Sequence, residues 1–165
     1  MVLKRTIALA LTILMFVVGG GCGVYKFSSS STSGIESVAV PVFENESVEY
    51  GIAEDLTSGI IEGFVADNTL SVVARSRADA VLEGTIKSYS RDAYTYDESD
   101  NVKEYKVNIS VRIRLNKADG SSVWEEENML AYGIYDADSE SEEDGKTRAI
   151  EKMTEDIINR TVKDW

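Results

Sequence analysis

Between residues 105 and 115 every odd position is apolar or aromatic: Tyr105, Val107, Ile109, Val111, Ile113 and Leu115. The positions between them are polar: Lys106, Asn108, Ser110, Arg112 and Arg114. A period of two held over this length predicts a strand with one buried face and one wet face. Asp119-Gly120 then gives a turn signal, and Val123-Trp124 restarts an apolar pattern, which predicts a hairpin. Upstream, residues 80–96 form a second long strand candidate, alternating through Leu82, Gly84 and Ile86. It ends in the polar tip Asp97-Glu98-Ser99-Asp100-Asn101. The three segments predict an antiparallel meander, with a short strand over residues 70–74 before it.

The period changes on either side of the meander. Ile52, Leu56, Ile60 and Phe64 recur every four residues, with Glu54, Asp55, Ser58 and Glu62 elsewhere on the wheel. That spacing predicts an amphipathic helix facing a core. A second helix is predicted from about Ser141 to the end, where Ile150, Met153 and Ile157 face one way and Ile158, Val162 and Trp165 widen the apolar side. Ser141 and Asp144 form a loose capping box, and Glu142 and Glu143 suit the dipole at that end. Residues 35–43 read as a strand containing the one proline, Pro41, which favours an edge or bulge position. The predicted order is β-α-β-β-β-β-α, and the fold class is α+β. A two-layer sandwich is expected, a mainly antiparallel sheet with two helices on one face.

The N-terminus changes the picture of where this domain works. Lys4 and Arg5 precede thirteen uncharged, mostly apolar residues, 6–18, and then Gly19-Gly20-Gly21. A membrane span needs about 20 apolar residues, so this pattern predicts a secretory signal rather than an anchor. Cys22, the sole cysteine, follows the glycines and has no partner for an internal disulfide. The arrangement resembles the bacterial lipobox, with Gly19 in the usual aliphatic position and Val18 one place back. It implies cleavage before Cys22 and a diacylglycerol thioether on its sulfur. Gly23 next to it, rather than aspartate, favours the outer membrane. Residues 1–21 are thus expected to be the signal peptide, 22–34 a serine-rich tether and 35–165 one domain.

Removing residues 1–21 takes away Lys4 and Arg5 alone, so the net charge moves from −12 to −14. A chain this acidic is a poor general binder of nucleic acid or anionic lipid. It has no histidine, which removes the commonest general base and most zinc sites. No phosphate-cradling glycine loop is present, and runs such as Glu125-Glu126-Glu127 read as solvated faces. Asp97, Glu98 and Asp100 could approach a calcium ion, but the segment lacks the glycine and distal glutamate of an EF-hand loop, so a hairpin tip is expected. An enzyme is not expected, nor a metal or other cofactor.

The wet side of the central strand stands out because it is cationic on an acidic chain. Lys106, Arg112 and Arg114 share it, with Lys87 and Arg91 on the preceding strand. Two uses fit: cross-strand pairing with Glu125–Glu127, or a platform for the phosphates of an anionic amphiphile.

Several segments in order resemble a known family. Cys22-Gly23-Val24-Tyr25-Lys26-Phe27 is similar to the start of mature lipopolysaccharide-assembly lipoproteins, the LptE family. So are Ile35-Glu36-Ser37-Val38-Ala39-Val40-Pro41-Val42-Phe43-Glu44-Asn45, Asp55-Leu56-Thr57, Ala78-Asp79-Ala80-Val81-Leu82-Glu83-Gly84 and the closing helix over 149–165. The resemblance implies a non-catalytic partner that sits in the lumen of the outer-membrane β-barrel LptD, assists its assembly and contacts lipopolysaccharide. Since the opening strand also resembles other envelope lipoproteins, the alternative is a periplasmic lipoprotein organising a cell-wall synthase or secretion channel. The anchor can be tested directly. Cys22→Ser should abolish lipidation, and mass spectrometry of the mature wild-type N-terminus should find a diacylglycerol on Cys22; a free N-terminus elsewhere would end the lipoprotein reading.

Overall fold

The computed structural model describes residues 34–162. Cys22, the signal, almost all of the tether and Trp165 lie outside the described residues. The elements in order are β1 (Ser37–Ala39), β2 (Glu44–Asn45), α1 (Ile52–Asp67), β3 (Ser71–Val72), a 3-10 turn (Arg75–Arg77), β4 (Ala80–Tyr96), β5 (Val102–Lys117), β6 (Ser122–Asp136) and α2 (Glu142–Val162). They form a mixed six-stranded sheet in the order β3-β1-β4-β5-β6, with β2 also beside β4. The short strands pair in parallel, and β4-β5-β6 is the predicted antiparallel meander.

The meander follows the alternation in β5. Val107, Ile109, Val111, Ile113 and Leu115 are all fully buried in the main core, together with Ile52, Leu56, Ile60 and Phe64 of α1 and Met153 and Ile157 of α2. Ile150 is half-buried, and Ala149 takes the central place on α2. Ser141 caps α2 as expected: its N–H and hydroxyl both donate to the Asp144 carboxylate, at 2.8 and 2.7 Å. That helix lies so close to β6 that a Cβ at Gly133 would run into the Gly145 carbonyl oxygen and the Ala149 backbone nitrogen. Backbone cannot swing aside as a side chain can, so position 133 admits only glycine.

Two expectations need correction. Of the strand predicted over 35–43 only Ser37–Ala39, β1, is strand; pairing resumes past Pro41 at Glu44–Asn45, β2, beyond the predicted end. Six steps along the edge chain, Val38 to Glu44, match five along β4, Ala80 to Thr85, so one extra residue bulges out. Proline has no N–H for the ladder, and past the break the Phe43 N–H is taken by the buried Thr57 hydroxyl of α1 at 3.1 Å. The order is therefore β-β-α-β-β-β-β-α. The second correction concerns Ser110, which lies on the predicted side of β5 but is buried, its hydroxyl bonded to the Asn128 amide oxygen.

Asp79 fixes the start of β1 to the start of β4. Its carboxylate accepts the N–H groups of Glu36 and Ser37 and the Ser37 hydroxyl, and the Asp79 N–H donates back to that hydroxyl at 3.1 Å. The Ser37 hydroxyl, then the Glu36 N–H, hold this carboxyl below its usual range.

The two faces of the sheet should differ sharply in tolerance. Ile109→Asp places an unpaired charge in the core and should cost about 4–5 kcal/mol. Leu130→Asp, on an exposed position of β6, should stay within about 0.5 kcal/mol. Denaturant unfolding of both variants checks this, and equal losses would contradict the assignment of faces.

Candidate functional site on the uncovered face of the sheet

Both helices lie on one side of the sheet, and among the described residues the other face has no second layer. Register fixes what stands on it. Lys106 lies between Asp92 and Ile134, Asn108 between Ser90 and Tyr132, and Arg114 between Glu83 and Glu125. Arg112 is opposite Thr85.

The arginines meet at a hollow of about 230 Å³ beside the Pro41 break, lined by Pro41, Glu44, Arg75, Glu83, Arg112 and Arg114 among others. Glu83 sits between two guanidinium groups, with Arg75 at 2.9 Å on one oxygen and Arg114 at 3.1 Å on the other. Partial burial works to raise the Glu83 pKa, but the bonds from Arg75 and Arg114 outweigh it and hold the carboxyl below its usual range. Arg112 differs. Its guanidinium donates to the Thr85 hydroxyl at 3.3 Å, and it forms no ion pair among the described residues.

Farther along the same face, Lys106 lies over two aromatic rings, 5.1 Å from the centroid of Tyr94 and 5.5 Å from that of Tyr132. Its cross-strand neighbour Asp92 is engaged by Asn108 at 2.9 Å and by the Ser90 hydroxyl at 3.0 Å. Lys106 thus also forms no ion pair among the described residues. Tyr94, Tyr132 and Leu130 are all exposed here.

The structure therefore puts Lys106, Arg112 and Arg114 on one face, the two arginines together and Lys106 about 20 Å along the strand, but not the whole predicted set. Lys87 stands at a register slip between Ile86 and Ser88 and is ion-paired with Glu46. That slip inverts the alternation of β4, so Arg91 pairs with Val107 and turns to the helix side. There it stacks over Tyr105 at 3.8 Å, lies 5.9 Å from Tyr135 and ion-pairs with Glu142 at 3.7 Å. Tyr105 and Tyr135 are themselves stacked, with centroids 5.5 Å apart. Tyr105 thereby belongs to the core side, unlike Tyr94. The expected pairing with Glu125–Glu127 is replaced by Glu83, and Arg75 is a member of the cluster that the alternation could not reveal. At the hairpin tip, the Asp97 carboxylate accepts the N–H groups of Ser99 and Asn101 at 2.7 and 2.9 Å, closing its own turn.

The domain is a two-layer α+β sandwich with one helix-covered face and one face that is bare among the described residues. The chain belongs to the LptE family: the model of that family, described as lipopolysaccharide-assembly, matches residues 35–162. It is thus a lipopolysaccharide-assembly type of envelope lipoprotein. None of the curated proteins matches it in sequence. Solved structures share its fold. Protein XCC0632 from Xanthomonas campestris is 10% identical with a TM-score of 0.57, over 80% of this chain and 89% of that one. The hypothetical protein CT253 from Chlamydia trachomatis is 10% identical with a TM-score of 0.55, over 76% and 95%. A PelC dodecamer from Paraburkholderia phytofirmans is 17% identical with a TM-score of 0.53, over 81% and 93%.

The cations on the two faces should behave differently when removed. Arg91→Ala loses a ring stack and should cost about 1 kcal/mol of stability. Arg112→Ala loses one part-buried, 3.3 Å hydrogen bond to a neutral hydroxyl and should cost less, about 0.5 kcal/mol. Thermal melts of the two variants check the order.

Proposed function

We propose that this chain is an outer-membrane lipoprotein, lipidated at Cys22, that lodges in an LptD-type β-barrel. There it assists barrel assembly and helps pass lipopolysaccharide to the cell surface, acting by binding. The uncovered face meets the lipopolysaccharide phosphates through Arg112, Arg114 and Lys106. The observation that carries this reading is the pair of cations, Arg112 and Lys106, that form no ion pair among the described residues although the chain is strongly acidic. Among the described residues Arg75, Lys87, Arg91, Arg114, Lys146, Arg148 and Lys152 are held by carboxylates; Arg77, Lys103 and Lys117 form no ion pair either, but Arg112 and Lys106 are the two that stand on the bare face of β5. Planar guanidinium suits phosphate oxygens, and the hollow beside Pro41 is wide enough to admit them. A lipid anchor raises the effective concentration of the domain near any barrel in the same membrane. Lys87 and Arg91, engaged by Glu46 and Glu142, have lesser parts in this scheme than the sequence alone suggests.

The fold shared with a PelC dodecamer favours a second reading, in which copies of the chain assemble to organise another envelope machine. Purification in detergent with the anchor intact separates the two. A stoichiometric large barrel supports the first reading, and a ring of copies without one supports the second.

The phosphate contact has its own test. Lys106→Glu with Arg112→Glu breaks no ion pair among the described residues, so the variant should fold, losing about 1–2 kcal/mol from the Lys106 ring contacts and the Arg112–Thr85 bond. Its affinity for lipopolysaccharide should fall about tenfold or more, at about 1.5–3 kcal/mol per charge-assisted contact. Wild-type affinity should weaken as salt rises, because exposed charges are screened over ~8 Å at physiological ionic strength. Unchanged binding by the folded double variant would remove this face from the mechanism.

A further inference from the structure

On the helix side, the loop between β2 and α1 holds two apolar side chains almost wholly in solvent: Val48 is 95% exposed and Tyr50 96%. Loops with such side chains usually fold them back. This one is held open by its own bonds. The Asn45 amide oxygen accepts from the Ser47 N–H and hydroxyl at 2.9 and 2.7 Å, and its amide nitrogen donates to the Glu49 carbonyl at 2.7 Å. Glu46 on one flank donates its N–H to the Ile86 carbonyl and ion-pairs with Lys87. On the other flank Glu49 is 3.3 Å from Lys146, and Gly51, at φ 80°, makes the left-handed turn into α1.

Lys146 ties this loop to both helices. Its side chain is 10% exposed and also reaches Glu143 at 2.7 Å and Asp55 at 4.0 Å. Burial works to lower its pKa, but the bonds to Glu143 and Glu49 outweigh that and raise it, and the ion pairs hold the loop to α2. Beyond it a shallow hollow of about 330 Å³ runs between α1 and α2, edged by Asp55, Glu62, Glu143 and Glu151 with Gly59 and Ile150. A rigid apolar pair therefore stands at the head of an acidic groove.

We propose that Val48 and Tyr50 are the anchor by which this domain docks on a protein surface carrying an apolar socket bordered by lysine or arginine. The inference rests on the barrel reading above and assigns that surface to the barrel. The loop backbone is already held by its own bonds, so little of it has to be ordered on binding, and the two exposed side chains offer the apolar area that interface hot spots bury. The acidic rim selects a basic partner and disfavours an anionic lipid surface. A second copy of this chain, offering its cationic sheet face, is the competing occupant.

The test uses the full-length lipidated protein in its own host. Val48→Ser with Tyr50→Ser removes the anchor where nothing is packed, so melting and lipopolysaccharide binding should not move. Barrel recovered with the variant should fall about tenfold or more. A photoreactive benzophenone side chain at position 48 should cross-link to the barrel. Glu62→Lys with Glu151→Lys should also reduce recovery, more strongly at low salt. Wild-type recovery of barrel by the serine variant, or cross-links to lipid or to further copies alone, would overturn the inference and leave the barrel reading standing. Absence of barrel from the wild-type preparation would overturn the barrel reading and this inference with it.

Discussion

β5 is hydrogen-bonded on both sides along nearly all of its length, to β4 from Val102 to Lys117 and to β6 from Glu104 to Asn116. Its five fully buried side chains, Val107 through Leu115, are the floor on which both helices rest. Everything else follows from that strip having one side. A strand sends alternate side chains to opposite faces, so burying one set presents the other set away from the helices. With no second layer there, those positions must be polar or find partners among themselves. Ser110 does so with Asn128, and Arg114 with Glu83.

How far a sequence reveals its strands depends on whether the ladder keeps count. β5 reads cleanly because its buried positions keep one parity from end to end. In β4 the slip at Lys87 inverts that parity, and a reader counting in twos places Arg91 on the wrong side. β6 carries its own slip, opposite the step from Val111 to Ile113, where Met129 and Glu126 bracket two unmatched residues. That displacement breaks the alternation within Glu125-Glu126-Glu127-Asn128, so the sequence showed the start of β6 and not its length. α1 has no such interruption, and its spacing of four returned Ile52, Leu56, Ile60 and Phe64, though not Ala53 and Thr57, which are buried beside them. Pro41 marked a break correctly without telling how far the edge strand extends on each side.

The candidate site was legible in the same uneven way. The three cations of β5 could be read from one strand. Arg75 and Glu83 could not, because a 3-10 turn and a neighbouring strand bring them there by tertiary packing. The carboxylates nearest in sequence and register, at 125–127, suggested a ladder that Glu83 supplies instead. Partner assignment needs side-chain reach as well as register: Glu83, held from both flanks by Arg75 and Arg114, gains two charge-assisted contacts where Glu125 would have one.

A strongly acidic chain has no general need to hold cations away from carboxylates. Lys146, Arg148 and Lys152 on α2 are all ion-paired, as are Lys87 and Arg91 on β4. Opposite charges at ion-pair distance are the default on such a surface, worth ~0–1 kcal/mol each when exposed. Lys106 and Arg112 form no such pair among the described residues, as Arg77, Lys103 and Lys117 do not, and they alone of these five stand on the bare face of β5. The sheet face thus carries Lys106, Arg112 and Arg114 interleaved with Asp92, Glu83 and Glu125, while carboxylates edge the groove between the helices. A single β-layer with helices on one side separates these two surfaces by the thickness of its own core, so each can meet a different partner at once.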